Sequence, residues 1–297
     1  MGFSEKEWRC ADGTTMYACE WLPEGGKGDV PAVIGIVHGM GEHMGRYVHV
    51  AEMLNASGYA VLGFDQRGHG NTAGKRGHVP QYADLLEGVD KLLAEARSRF
   101  PGVPLFLYGH SMGGNVTLNY LLRCKPDIAG AIVSGPWLKL AFKPPSLQAV
   151  IGKVIEKIYP SYTNNRPINA ANLTTDPVMV ERYVTDKLGH GNITARFFFG
   201  VQAAGLWALE HASELAVPTL LMHGGDDKVT SLPASKRFAE SAPPKLVTWI
   251  DWPGYKHEIH NETGREDVFE AVRGWLADRL PARAEPANAN ADEESAV

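Results

Sequence analysis

One serine lies in a sequence setting that is typical of a nucleophile. Ser111 is the centre of Gly109-His-Ser-Met-Gly113, a G-x-S-x-G turn. An unbroken apolar run at residues 105–108 predicts a buried strand before the turn, and apolar residues within 116–122 have the spacing of a helix after it. Such a strand–turn–helix holds the serine in a strained conformation with its hydroxyl above the sheet. We therefore predict a nucleophilic Ser111 rather than an ordinary turn serine.

A serine hydroxyl is a weak nucleophile at neutral pH, so it needs a base within reach and an anion that orients the base. The carboxyl ends of parallel strands share one edge of a sheet, so the partners should lie in loops after later strands. One predicted strand ends in His223-Gly-Gly-Asp-Asp227, and the last is followed by Trp252-Pro-Gly-Tyr-Lys-His257. The chain order Ser, Asp, His is the one expected for this kind of turn and predicts a serine hydrolase.

Spacing leaves two choices open in these loops. Asp226 and Asp227 are equally well placed for the acid, and His257 and His260 both follow the last strand. We favour His257 as the base because it lies nearer the strand end. We expect His260 to lie at the start of a helix or on the surface.

An acyl-transfer site also needs two backbone N–H donors for the oxyanion that forms on the substrate. The N–H of Met112, next after the nucleophile, is one candidate. The second should come from the loop after an earlier strand, where His38-Gly-Met-Gly41 follows the predicted strand at residues 32–37. Within that loop the N–H of Met40 is our candidate.

The elements that would position these residues alternate along most of the chain. Strands alternating with helices predict an α/β fold with a mostly parallel sheet covered on both faces. The predicted sheet strands are residues 32–37, 59–64, 105–108, 131–134, 217–222 and 245–251. The predicted helices besides the one after Ser111 are residues 47–57, 79–100, 233–242 and 266–280. Residues 8–21 predict a hairpin that turns at Asp12-Gly13.

The pattern changes after Pro136, where strand-like apolar runs stop and short helices are predicted. We predict a core in residues 1–136 and 213–281, an inserted helical cap in 137–212, and a disordered tail in 282–297. One cap helix carries an apolar stripe opposite charged residues. We expect this stripe to pack on the core rather than to form a membrane-touching surface. Its residues are Leu147, Val150, Ile151, Val154, Ile155 and Ile158.

Charge and motif content exclude several classes of function. The 297 residues carry a net charge of −5 without a basic run interleaved with aromatics, so we expect no nucleic-acid partner. No histidine pair has metal-site spacing, no G-x-G-x-x-G opens a helix after the first strand, and there is no P-loop. We therefore expect neither a metal nor a cofactor. The histidines near the same sheet edge that we expect only to orient loops are His38, His69, His78 and His110.

The three cysteines are an odd number without metal-ligand spacing, and they predict free thiols in a reducing compartment. The N-terminus is charged where a secretory signal would be apolar, and no apolar stretch approaches the length of a membrane span. We expect a cytoplasmic protein, with transient peripheral contact of the cap with membranes as a further option.

Four segments together resemble the monoacylglycerol lipase and lysophospholipase family of α/β-hydrolases. They are His38-Gly-Met-Gly-Glu-His-Met-Gly-Arg-Tyr47, Phe64-Asp-Gln-Arg-Gly-His-Gly70, Gly109-His-Ser-Met-Gly-Gly114 and Tyr255-Lys-His-Glu-Ile-His-Asn-Glu262. The resemblance extends from the first hairpin to about residue 280. It implies the α/β-hydrolase fold with a helical cap over an acyl-binding tunnel. The implied activity is hydrolysis of monoacylglycerols to fatty acid and glycerol through an acyl-enzyme.

The resemblance also implies roles for individual residues. It selects Asp227 over Asp226 as the acid and keeps His257 as the base. The residues it implies are Ser111, Asp227 and His257 in the triad, Met40 and Met112 at the oxyanion, and Glu42 and Arg46 at the polar end of the site.

Other functions remain as alternatives on the same motifs. A lysophospholipase, or a general short- or medium-chain carboxylesterase, would use the same triad on a different ester. A peptidase of the proline-iminopeptidase type would need a carboxylate cluster in the cap, where only the scattered Asp176, Glu181 and Asp186 occur. A binding module without turnover would usually have lost a triad residue. The expected partner is a lipid ester substrate.

Overall fold

A sheet of eight strands forms the centre of the molecule in a computed structural model that describes residues 2–28, 30–142 and 146–280. For residues 146–149 only the backbone is described, and the predicted disordered tail lies outside the described residues. The strands of the described part are β1 (Gly2–Arg9), β2 (Thr15–Leu22), β3 (Val33–Val37), β4 (Ala60–Phe64), β5 (Leu105–His110), β6 (Gly130–Ser134), β7 (Thr163–Asn165), β8 (Asn192–Thr194), β9 (Thr219–Gly224) and β10 (Val247–Trp252).

The main sheet has the strand order β1-β2-β4-β3-β5-β6-β9-β10. It is parallel from β4 to β10 and antiparallel at β1 and β2. The helices of the described part are α1 (Val48–Ala56), α2 (Ala83–Arg99), α3 (Met112–Cys124), α4 (Ser146–Ile158), α5 (Pro177–Thr185), α6 (Ala195–Glu210), α7 (Leu232–Ser241) and α8 (Arg265–Ala277). The predicted α/β architecture is confirmed.

Both faces of the parallel strands are apolar, which accounts for the continuous apolar runs in the sequence. In β5, Leu105 and Leu107 belong to the core on one face, whereas Phe106 and Tyr108 belong to the core on the other. Helices α2, α3, α6 and α7 cover the first face, and α1 and α8 cover the second. Because β3, β5, β9 and β10 are parallel, their carboxyl ends lie at one edge of the sheet.

Most predicted elements are present with small shifts of their ends. The predicted hairpin is the β1–β2 pair, although β1 begins earlier, at Gly2. Helix α2 begins at Ala83 instead of residue 79, because Pro80 disfavours helical backbone in the residue before it. Helix α1 agrees with the predicted helix at residues 47–57 to within one residue at each end, and a 3-10 turn at Met44–Tyr47, for which the sequence makes no prediction, precedes it.

The segment between β6 and β9 contains α4, α5, α6 and the short antiparallel pair β7–β8. The sequence predicts helices in this segment, and the short strands β7 and β8 are additional to that prediction. Their sequences, Thr-Asn-Asn and Asn-Ile-Thr, are three residues long and mostly polar, so they carry no periodic signal. Helix α6 packs against α3, with Phe197 and Val201 in the same core as β5.

The expectation that the apolar stripe of α4 packs on the core is wrong. Helix α4 lies against α6, where Lys153 contacts the ring of Phe199 at 5.5 Å. Four of the six stripe residues are exposed, Ile155 is half-buried, and the side chain of Leu147 lies outside the described part. A helix has the same amphipathic period whether its apolar side packs on a core or is exposed, so the sequence could not distinguish these two arrangements. The exposed stripe residues are Val150 at 61%, Ile151 at 49%, Val154 at 50% and Ile158 at 80%. None of the described helices is both long and apolar enough to cross a bilayer.

Candidate active site

Ser111 lies at the junction of β5 and α3 in a strained backbone conformation. Its φ is 55° and its ψ is −117°, which residues with a side chain rarely adopt. The flanking glycines permit the turn, because a Cβ at Gly109 would overlap Thr117 and a Cβ at Gly113 would overlap the carbonyl oxygen of Val37. This tight packing explains why the turn needs glycine on both sides of the serine.

Ser111, His257 and Asp227 form one chain of hydrogen bonds. The distance from Oγ of Ser111 to Nε2 of His257 is 2.9 Å, and that from Nδ1 of His257 to Oδ2 of Asp227 is 2.8 Å. Asp227 follows β9 and His257 follows β10, so neighbouring parallel strands supply both partners. The side chain of Asp227 is fully buried, whereas Asp226 is exposed. The structure therefore brings three of the predicted residues together and leaves Asp226 outside the cluster.

The carboxylate of Asp227 is held as an anion in spite of its burial. Burial alone would raise the pKa of Asp227, but the facing His257 and His223 rings hold this pKa below its ordinary value. Thr230 donates its hydroxyl to the carboxylate at 2.7 Å and its backbone N–H at 3.0 Å. Burial also disfavours a charged His257, yet the Asp227 carboxylate raises the pKa of His257 above its ordinary value. An imidazole in this environment can take the proton of Ser111 and return it to a leaving group.

His260 is buried, which excludes the expected surface position and leaves the expected position near the start of a helix. It lies in the short 3-10 turn Ile259–Asn261 ahead of α8 and is 1% exposed. Its ring stacks on Tyr47 at 5.3 Å and meets the ring of His110 edge-on at 4.8 Å. Burial lowers the pKa of His260 well below its ordinary value. His260 is thus a neutral packing residue, and the histidine within hydrogen-bond distance of Ser111 is His257.

The loop that follows β3 lies directly beside the candidate nucleophile. A Cβ at Gly39 would be 3.2 Å from Cβ of Ser111, and the sulfur of Met40 lies 3.4 Å from Nε2 of His69. In the described part of the chain, the N–H groups of Met40 and Met112 donate to no protein acceptor. Two free donors near Ser111 are what an oxyanion site requires.

Glu42 and Arg46 make their polar contacts with other residues of the protein. Glu42 is 5% exposed and accepts hydrogen bonds from the hydroxyl of Tyr47 at 2.6 Å and from the N–H of Gly39. Arg46 lies 3.3 Å from Glu42 and donates to both oxygens of Glu258 at 2.9 Å. These bonds connect the loop of Met40 to the segment next to His257. Burial raises the pKa of Glu42, and the Arg46 guanidinium opposes that rise.

Two parts of the segment between β6 and β9 bind the loops that carry candidate residues. The N–H of His190 donates to the carbonyl oxygen of Gly41 at 2.9 Å, next to Met40. The N–H of Glu258 donates to the carbonyl oxygen of Leu173 at 2.7 Å, next to His257. The inserted segment is therefore bonded to both sides of the site.

Sequence reasoning missed three residues that support the site. His223 and Thr230 both contact Asp227, at 3.0 Å and 2.7 Å. Glu262 is 1% exposed and accepts the N–H of Lys256, next to His257, at 2.7 Å. His223 directly precedes the acidic turn and Glu262 ends the Tyr-Lys-His segment, but nothing in the spacing indicates what either one contacts.

The contacts of the remaining histidines support their expected role in orienting loops. Nε2 of His38 accepts the N–H of Gln66 at 2.9 Å, and burial lowers the pKa of His38 to about 3. Nδ1 of His69 lies 3.0 Å from the carbonyl oxygen of Arg67. Nδ1 of His78 lies 3.0 Å from Oγ1 of Thr194, and Nδ1 of His110 lies 2.9 Å from Oγ of Ser134.

A cavity of about 470 Å³ lies between residues 43–52 and α5. Its lining includes His43, Arg46, His49, Met179 and Asp186. Neither Ser111 nor His257 lines it, so the cavity is not where an ester carbonyl would be attacked. Among the described residues there is no cluster of three or more His, Cys, Asp and Glu side chains suited to a metal ion.

Residues 28–264 match the Hydrolase_4 family, described as serine aminopeptidase, S33. The chain is 28% identical to a monoacylglycerol lipase of Mycolicibacterium smegmatis, over 93% of this chain and 98% of that protein. It is 33% identical to phospholipase YtpA of Bacillus subtilis, over 84% of this chain and 96% of that protein. An abhydrolase domain-containing protein of Dictyostelium discoideum is 32% identical, and the chain spans only 28% of its length.

Solved structures are similar over the same extent of the chain. The crystal structure of Paleococcus ferrophilus monoacylglycerol lipase matches with a TM-score of 0.79 at 31% identity. The match covers 89% of this chain and 99% of that one.

Proposed function

This chain belongs to the serine aminopeptidase S33 family and is a monoacylglycerol lipase-like α/β-hydrolase that cleaves lipid esters, and we propose that its substrate is monoacylglycerol. We further propose that the reaction proceeds through Ser111, His257 and Asp227. The observation that carries this proposal is the unbroken chain of 2.9 Å and 2.8 Å contacts from Ser111 to Asp227. The products would be a fatty acid and glycerol.

In the first half of the reaction, Oγ of Ser111 attacks the ester carbonyl while Nε2 of His257 takes the hydroxyl proton. Asp227 keeps the other proton of the ring on Nδ1 and stabilises the imidazolium. The C–O bond to glycerol then breaks, and His257 gives its proton to the departing alkoxide oxygen. The acyl group remains on Ser111 as an ester.

In the second half, water takes the place of the alcohol. His257 removes a proton from the water as its oxygen attacks the acyl carbonyl, and then returns the proton to Oγ of Ser111. Both tetrahedral intermediates carry a negative oxygen, for which the N–H groups of Met40 and Met112 are the proposed donors. Losing one donor of this kind costs about 3–4 kcal/mol of transition-state stabilisation.

The exposed apolar residues of α4 support a lipid substrate that is taken from a lipid surface. Val150, Ile151, Val154 and Ile158 form an apolar strip on one side of this helix, between 49% and 80% exposed. A strip of that kind gains free energy when it contacts a lipid surface, because its apolar area leaves water. We propose that α4 makes this contact transiently while the site takes up a single-chain ester.

A second candidate function is hydrolysis of lysophospholipids or other phospholipids. The 33% identity to phospholipase YtpA favours this candidate specifically. A general short- or medium-chain carboxylesterase would share the same chemistry. The three differ in headgroup and acyl length, so rates across a matched substrate series separate them.

Aminopeptidase activity, which the family description also covers, has less support in this chain. Binding a free amino terminus needs unpaired carboxylates above the nucleophile. Asp176 is paired with Arg265 at 2.8 Å, and Asp186 is paired with His43 at 2.9 Å. Glu181 is exposed on α5. A binding module without turnover is disfavoured because all three triad residues are present.

The decisive experiment combines active-site labelling with substrate profiling on the full chain. A fluorophosphonate probe should modify Ser111, and Ser111→Ala should abolish both labelling and turnover, whereas Ser98→Ala on the exposed side of α2 should change neither. Monoacylglycerols should be cleaved faster than lysophospholipids and acetyl esters of equal concentration. Labelling at another residue, or turnover by Ser111→Ala, would disprove the proposed nucleophile.

A further inference from the structure

A second histidine faces the carboxylate of Asp227. His223, at the end of β9, is fully buried, and its Nε2 lies 3.0 Å from Oδ2 of Asp227 without a well-aligned hydrogen bond. Nδ1 of His257 lies 2.8 Å from the same oxygen. The two rings therefore contact one carboxylate oxygen, and only one of them belongs to the triad.

The far side of the His223 ring is also occupied. Its Nδ1 lies 2.9 Å from Oγ of Ser235, a fully buried serine on α7. A neutral imidazole carries a proton on one nitrogen and accepts with the other. The Asp227 carboxylate favours the proton on Nε2, so Nδ1 of His223 accepts from the hydroxyl of Ser235.

These contacts place Asp227 between two Ser–His pairs. On one side are His257 and Ser111, and on the other are His223 and Ser235, both 0% exposed. We call His223 and Ser235 the inner pair. It is buried from solvent and cannot reach a substrate. Its remaining effect is on the position and charge of the carboxylate that it touches.

We propose that His223, held in its tautomer by Ser235, is a positioning residue that orients Asp227 and takes up part of its negative charge. This inference rests on the proposed role of Ser111, His257 and Asp227. His223 then moderates how strongly Asp227 attracts a proton on His257, so the inner pair sets the pH range in which His257 is a free base.

The other charged and titratable groups around the triad do not replace His223. The His110 ring, at the end of β5, lies 4.8 Å from that of His257 and is bonded to Ser134. Glu258 and Glu42 also favour a charged His257, and Arg46 is paired with both. None of these four contacts Asp227 among the described interactions, whereas His223 does.

The direction of the effect follows from electrostatics. The N–H of His223 offsets part of the negative charge of the Asp227 carboxylate. Without it, the carboxylate stabilises the imidazolium form of His257 more strongly. His257 then stays protonated up to a higher pH, and while it is protonated it cannot accept the proton of Ser111. The acidic limb of kcat/KM should move to higher pH, by about half a unit or more for loss of a buried partner.

The test compares His223→Leu, which removes the donor, with His223→Gln, whose amide nitrogen reaches the position of Nε2. We expect the acidic limb of kcat/KM on a soluble nitrophenyl ester to shift upward in His223→Leu and to stay near the wild-type position in His223→Gln. Ser235→Ala should shift it in the same direction by a smaller amount, because the tautomer with the proton on Nε2 is then favoured by Asp227 alone. Combining Ser235→Ala with His223→Leu should add no further shift.

Matched controls separate this effect from general damage. His211→Gln, at the end of α6, removes a histidine remote from the site and should leave the profile unchanged. Thermal unfolding of every variant identifies loss of the fold, and Ser235→Ala keeps the test open if His223→Leu does not fold. Equal pH profiles in His223→Leu, His223→Gln and wild type, with turnover retained, would overturn the inference. If the fluorophosphonate probe did not label Ser111 in the wild-type protein, the proposed function would be overturned instead.

Discussion

The backbone N–H of His190 donates to the carbonyl oxygen of Gly41 at 2.9 Å, and this bond joins the inserted segment to the loop of Met40. Gly41 has a φ of 76°, in the left-handed region, and a Cβ there would overlap the carbonyl oxygen of His190. The position of a proposed oxyanion donor thus depends on a residue that is distant in sequence.

We predict that Gly41→Ala lowers kcat by about tenfold to a hundredfold, because the left-handed backbone and the overlap with His190 both displace the neighbouring Met40 N–H. The measurement is kcat and KM on a soluble ester. Gly102→Ala is the matched control: Gly102 also has a positive φ, of 78°, but a Cβ there meets nothing within 4 Å. If both variants lost activity equally, backbone strain rather than the contact with His190 would be the cause.

Asp227→Asn should reduce kcat by about 10⁴-fold, because an amide cannot hold His257 in the tautomer that accepts the Ser111 proton. Asp226→Asn should remain close to wild type, since the side chain of Asp226 is exposed and its backbone N–H, which the substitution keeps, donates to the carbonyl oxygen of Tyr255. Steady-state rates of the two variants on one substrate make the comparison. A large loss in Asp226→Asn alone would reverse the assignment of the acid.

Activity of the wild-type protein should fall as the pH drops through the pKa of His257. The base must be neutral to accept a proton, and the Asp227 carboxylate raises the pKa of His257 above its ordinary value of about 6.5. The acidic limb of kcat/KM should therefore lie above pH 6.5 and level off at higher pH. A limb well below the ordinary histidine value would contradict the proposed electrostatics.

Ile158→Glu should weaken binding to phospholipid vesicles by about tenfold to a hundredfold, because burial of an isoleucine side chain contributes about 1.5–3 kcal/mol. Hydrolysis of a soluble short-chain ester should be unchanged, since Ile158 is 80% exposed. Val184→Glu is the control, because Val184 is 68% exposed on α5 and lies outside the stripe. Vesicle co-sedimentation measures the binding, and equal weakening by both variants would argue against a specific role for α4.

The candidate site was predictable where its chemistry is encoded locally. The turn around Ser111 needs a strand before it, a helix after it and small flanking residues, and all of these appear within about twenty residues of sequence. Asp227 and His257 follow strands whose apolar runs are also visible, so their shared edge can be deduced from a parallel sheet. These features depend on short segments and on one general property of the fold.

The parts that were not predictable depend on contacts between distant segments. The contact of His223 with Ser235 and the bond of His190 to Gly41 leave no periodic signal in the sequence. The outward direction of the α4 stripe depends on which neighbour the helix finds, because the same amphipathic period serves a core or a lipid surface. The buried state of His260 depends in the same way on Tyr47 and His110, which approach it from other strands and turns.

Helix α6 is attached to α3, which begins beside the nucleophile. The side-chain amide of Asn115 donates to the carbonyl oxygen of Val201 at 3.1 Å, and that of Asn119 donates to Ala204 at the same distance. Helix α4 has no comparable bonds to α3 among the described contacts. The proposed chemistry and the proposed lipid contact are thus assigned to separable pieces of the chain. Changes in the exposed residues of α4 can therefore alter the proposed lipid contact without disturbing the bonds that hold α6 on α3.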